Sequence, residues 1–82
     1  MSDHEYQPPP TKVGETRSYL GGSSEKVLVI TRRGEDLLEI KLPDNPSYLG
    51  TVVEEGDMYH LTGSLNSLSA ANLLWSELLD NF

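Results

Sequence analysis

Hydrophobic positions along this chain follow two periods, and the change from one to the other sets the elements that the sequence predicts. Residues 26–33 (KVLVITRR) place Val27 and Val29 on one side of an extended chain and Leu28 and Ile30 on the other. A run apolar on both faces predicts a central strand covered on both sides. After the turn residues Gly34-Glu35-Asp36, residues 37–42 (LLEIKL) alternate, with Leu38, Ile40 and Leu42 facing in and Glu39 and Lys41 facing out. Strand, short turn and alternating strand predict a hairpin. Pro43-Asp44-Asn45-Pro46 reads as a loop, because proline has no amide to give to a ladder. Residues 48–54 (YLGTVVE) and 58–62 (MYHLT) flank Glu55-Gly56-Asp57 and predict a second hairpin. Residues 13–20 (VGETRSYL) are a weaker candidate for a further strand, ended by Gly21-Gly22-Ser23-Ser24.

Beyond Gly63 the period becomes helical. Over residues 65–82, Leu68, Ala71, Leu74, Trp75, Leu78, Leu79 and Phe82 fall on one arc of about 140° when drawn at 100° per residue. Asn66 or Ser67 stands where an N-cap oxygen would accept a first-turn amide. Leu73 falls on the opposite side, among Asn66, Ser69, Glu77 and Asp80. The sequence therefore predicts one amphipathic helix with a broad apolar face and an outward-facing Leu73.

These elements predict an α+β fold: a four- or five-stranded antiparallel sheet of two hairpins, with one C-terminal helix packed on it. A small SH3-like barrel with an appended helix is the alternative, favoured if residues 13–20 form a true first strand. Residues 1–12 are polar, contain Pro8-Pro9-Pro10 and lack periodicity, which predicts a flexible polyproline II arm ahead of a single domain over 13–82. The chain has 82 residues and no cysteine, so one small core must suffice without disulfides. No apolar run approaches the length of a membrane span, and the N-terminal residues have no apolar signal region; a cytoplasmic protein is expected.

Charge changes the picture more than composition does. The net charge is −7, and from residue 44 onward there is no Lys or Arg against Asp44, Glu54, Glu55, Asp57, Glu77 and Asp80. Such a surface repels nucleic-acid phosphate, which argues against direct nucleic-acid binding, and it would steer the protein toward a basic partner. The plainer account is that a negative charge keeps a small protein soluble.

Candidate chemistry is sparse. The two histidines are His4, in the arm, and His60, on a predicted strand, and no nucleophile motif accompanies either. Glu35-Asp36 and Glu54-Glu55 are adjacent pairs whose side chains diverge, so neither is a preorganised dyad. Gly21-Gly22-Ser23-Ser24 lacks the lysine and the following helix of a phosphate loop. Arg32-Arg33 could contact phosphate, but Glu35 and Asp36 offer nearer partners. Ser2-Asp3-His4 could form a square-planar Cu(II) or Ni(II) site only with Met1 removed. No enzyme activity, cofactor or metal is expected from this set.

Two functional expectations follow. The first is a small non-enzymatic interaction module, a stoichiometric inhibitor or regulator that docks on a basic protein surface or a nucleic-acid-handling complex. Phage anti-defence proteins and antitoxins share this size and sign, an analogy without fold content. The second is a dimeric structural or accessory subunit that uses the C-terminal helix face. The candidate contact residues are Glu54, Glu55, Asp57, Leu73, Glu77, Asp80 and Phe82, with Leu73 and Phe82 left uncovered by the sheet.

Ser-Tyr-Leu-Gly occurs twice, at residues 18–21 and 47–50. An offset of 29 aligns Val27 with Gly56, a strand position with a turn position, so a repeated fold unit is not expected. In each copy Tyr and Leu should point to opposite faces. Gly21 is expected to open a flexible link and Gly50 to sit in a strand, which makes Gly50 the less tolerant of a side chain.

Overall fold

A computed structural model describes residues 7–23, 25–63 and 69–82. Six strands, β1 (Thr16–Leu20), β2 (Val27–Arg32), β3 (Leu37–Leu42), β4 (Asn45–Glu55), β5 (Met58–Gly63) and β6 (Ser69–Leu73), are followed by one short helix, α1 (Trp75–Asp80). The strands pair in sequence order, β1-β2-β3-β4-β5-β6, and every pairing is antiparallel. The sheet curls as a half-barrel, and α1 packs against β5 and β6. Both expected hairpins and the weaker first strand are present, so the α+β class holds with six strands rather than four or five.

Register explains the core. Tyr19 pairs with Leu28, Ile30 with Ile40, Leu38 with Val52 and Val52 with Leu61, which sets one buried position beside the next on a single face. Leu78, Leu79 and Phe82 complete that core from the C-terminal segment. The radius of gyration, 11.8 Å, equals the ~12 Å of one packed domain of this length. No helix among the described residues is long and apolar enough to cross a membrane.

Several expectations meet a different structure. β2 is covered on one face only: Leu28 and Ile30 are buried, whereas Val27 is 43% exposed and Val29 half-buried. Its double-sided apolar pattern reflects β propensity of valine on an open face. The loop over residues 43–46 is also shorter than expected, since only Pro43 and Asp44 form the turn and Asn45 already pairs with Leu42. The register then jumps to Lys41 opposite Leu49, so Pro46 lies in a bulge where no ladder amide is required. That bulge turns Tyr48 inward, where it is buried.

The largest correction concerns residues 65–82. The helix is confined to Trp75–Asp80, and Ser69–Leu73 is a strand. Helical spacing was weak evidence there, because Ser69, Ala70 and Ala71 suit either period. Pairing satisfies the backbone of β5, through Thr62 with Ser69, Leu61 with Ala70 and Tyr59 with Leu73. One extra residue in β6 accommodates Asn72 at φ +61°, a left-handed conformation that interrupts a helix and suits a bulge. The proposed caps Asn66 and Ser67, like Leu68, lie outside the described residues. The first turn of α1 is instead closed by Glu77, whose carboxylate accepts the Leu74 amide at 2.8 Å.

Within residues 1–12, expected as a flexible arm, the carbonyls of Gln7, Pro8 and Pro10 accept hydrogen bonds from the domain, and Pro10 is fully buried. The Gly21-Gly22-Ser23 segment is likewise engaged. The Gly22 amide donates to the Leu79 carbonyl at 2.9 Å and the Ser23 hydroxyl donates to the Asp80 carbonyl, capping the C-terminal end of α1.

Candidate functional site

A meander reverses at every turn, so alternate turns share one end of the sheet. The β2–β3 and β4–β5 turns are therefore neighbours, and the Glu54 amide donates to the Asp36 carbonyl at 2.8 Å. Gly56 supplies the φ of +64° that closes the second turn tightly. Glu35, Asp36, Glu55 and Asp57 project from these two turns, and all four are exposed.

The arginines of the β2–β3 hairpin form their ion pairs with other carboxylates, Arg32 with Glu54 and Arg33 with Glu39. Arg32 is 5% exposed and points inward from β2. Its Nε donates to the Pro10 carbonyl at 2.6 Å. One terminal nitrogen donates to the carbonyls of Gly34 at 3.1 Å and Glu35 at 2.7 Å, and to the Glu54 carboxylate at 2.9 Å. The bond to Glu54 holds the guanidinium above its already high ordinary pKa, against the opposing effect of burial. Arg33 pairs with Glu39 on the outer face of the sheet at 2.8 Å. The end of the sheet thus presents four solvated carboxylates, while both arginines turn to other partners.

The expected contact residues divide accordingly. Glu55 and Asp57 belong to this acidic end. Glu54 is half-buried and engaged by Arg32, so it is a structural anion. Leu73 is half-buried against the core beside Tyr59, and Phe82 is 6% exposed, edge-on to Tyr48 with ring centroids 5.9 Å apart. Phe82 is thus part of the core and Leu73 is partly covered, because the shortened helix turns this segment onto the sheet. Glu77 lies in the first turn of α1, where it complements the helix dipole rather than opposing it, and Asp80 is exposed at the last turn.

Glu35 and Asp36 complete the acidic end and were absent from the expected contact set. The signal for them was present: two consecutive hairpins with acidic turns must place those turns on one end of a meander. His60 is exposed on β5. Among the described residues no three His, Asp or Glu side chains gather as a metal site. Ser2-Asp3-His4 lies outside the described residues. No family model, curated protein or solved structure matches this chain.

Proposed function

We propose that the chain is a non-enzymatic interaction module, a stoichiometric regulator that docks its acidic end onto a basic protein surface. The observation that carries this reading is the convergence of Glu35, Asp36, Glu55 and Asp57 on two adjacent turns, with Arg32 and Arg33 ion-paired to Glu54 and Glu39. Like charges held side by side cost stability, and a cationic partner recovers that cost on binding. The hydrogen bond between the two turns ties together the backbone from which these groups project, which lowers the ordering needed on association. The dimeric reading, on the C-terminal helix face, draws less support, since Phe82 is buried and Leu73 half-buried within the chain.

The test is retention of cellular proteins on the immobilised chain at about 50 mM and about 500 mM salt, where screening lengths differ several-fold. Specific retention at low salt that disappears at high salt is expected. Retention of nothing at low salt, or retention indifferent to salt, contradicts the reading.

A further inference from the structure

Trp75, Tyr19 and Tyr59 form one aromatic cluster that joins α1 to β1 and β5. Trp75 stands edge-on to Tyr19 with ring centroids 5.5 Å apart and is tilted against Tyr59 at 5.2 Å. The segment Gln7-Pro8-Pro9-Pro10 lies beside this cluster and meets three side-chain donors from three different elements. Trp75 Nε1 donates to the Gln7 carbonyl at 2.7 Å, the Tyr19 hydroxyl to the Pro8 carbonyl at 2.7 Å, and Arg32 Nε to the Pro10 carbonyl at 2.6 Å. Burial pushes the Tyr19 phenol up to about 12, so it remains a donor throughout the neutral range.

Triproline offers no amide hydrogens, so it can be recognised only through its carbonyls and ring faces. Aromatic walls with indole and phenol donors supply that chemistry. In a polyproline II helix residues three apart share a face, and the outer two contacts, Gln7 and Pro10, are three apart.

We infer that the groove formed by Tyr19, Arg32, Tyr59 and Trp75 is a polyproline II peptide site whose resident ligand is the chain's own arm, and that its partner in trans is a proline-rich segment followed by basic residues. The basic flank follows from where the arm leads. Arg32, which holds Pro10, also binds the carbonyls of Gly34 and Glu35, so the peptide leaves the groove toward the acidic turns. The resident arm fits the same description, with Lys12 two residues beyond Pro10. Only the flank rests on the proposed docking of the acidic end; the groove stands without it.

Exchange requires the arm to swing about the turn at residues 11–15. That turn is closed by the Glu15 carboxylate, which accepts from the amides of Thr11 at 3.0 Å and Lys12 at 3.1 Å. A tethered arm competes at an effective concentration of order mM, so a free peptide binds the intact chain weakly and a chain with a weakened arm more tightly.

The chain has one tryptophan, so its indole N–H gives a single NMR signal that reports on the groove. The full chain and its Pro8→Gly/Pro9→Gly/Pro10→Gly variant are titrated with the peptides QPPPTK, QGGGTK and QPPPTT. The expected result is a saturable indole shift with QPPPTK, at least about tenfold tighter in the variant, and none with QGGGTK. Equal shifts with QPPPTK and QGGGTK, or no shift in either chain at about 5 mM peptide, overturn the groove. Equal affinity for QPPPTK and QPPPTT overturns the basic flank and leaves the groove supported. If the variant does not fold, the full chain carrying Gln7→Cys with a spin label decides. The docked label broadens the Trp75 indole signal, and about 5 mM QPPPTK should restore roughly half of it. No recovery overturns the proposal.

Discussion

Tyr48 carries a buried hydroxyl that has no hydrogen-bond partner among the described residues. An unpaired buried hydroxyl costs about 1–3 kcal/mol, so Tyr48→Phe should leave urea stability unchanged or raise it by about 1 kcal/mol. Marked destabilisation would mean that the hydroxyl has a partner. The same atom explains the second Ser-Tyr-Leu-Gly copy. A Cβ placed on Gly50 would lie 2.7 Å from the Tyr48 hydroxyl, so the penalty of Gly50→Ala should shrink in a Tyr48→Phe background. Gly21 is held differently. Its Cβ would meet the Phe82 carbonyl carbon at 2.6 Å, a backbone atom that no nearby side-chain truncation relieves. Gly21→Ala should therefore cost more than Gly50→Ala, by roughly 1 kcal/mol or more, reversing the sequence expectation. Equal costs in denaturant titration would contradict this. The opposite facing of Tyr and Leu in each copy was legible from alternation, but the close approach of Phe82 to Gly21 was not. Arg32 is the other critical residue. Arg32→Met removes the cation that pairs with Glu54 and orders Pro10 and the β2–β3 turn, and should cost about 3 kcal/mol or more.

At the scale of elements, the strands were readable and the C-terminal segment was not. Alternation in residues 37–42 marked Leu38, Ile40 and Leu42 as inward, because a strand's period of two leaves few options. Residues 69–73 contain Ser, two Ala and Asn, which constrain neither period, and the open edge of β5 decided their state. The helix that remains has six residues, too few to persist without the sheet beneath it. The arm was legible as proline-rich but not as docked, since its contacts are to carbonyls, which every residue possesses. Its turn gives a pH prediction. Hydrogen bonds from the Lys12 and Thr11 amides, then from Arg17, hold the Glu15 carboxyl near 2, down from an ordinary value of 4.5. The unfolded chain takes up this proton first as pH falls. The contribution of Glu15 is therefore fully present above 4.5 and lost as pH drops toward about 2. Glu15→Gln should flatten the fall in Tm between about pH 5 and about pH 2.5. An unchanged acid limb would show that the turn opens without cost.

At the scale of the whole molecule, the net charge of −7 is a property of the composition, whereas the acidic end is a property of the topology. Residues 35 and 36 stand some twenty positions before 55 and 57, and the two pairs meet only because a meander returns its second and fourth turns to one end. On the proposed function, this end rather than overall charge selects the partner. Two full-chain variants separate the alternatives: Glu55→Gln/Asp57→Asn at the acidic end, and Glu25→Gln/Asp44→Asn at exposed positions in the turns at the other end. Both remove two negative charges. The decisive measurement compares the affinity of each variant with that of the natural chain, at about 50 mM salt, for the proteins retained at low salt. The acidic-end pair should weaken binding about tenfold or more while the opposite pair leaves it within about twofold. Equal losses from the two variants would contradict the account and leave net charge as the whole explanation.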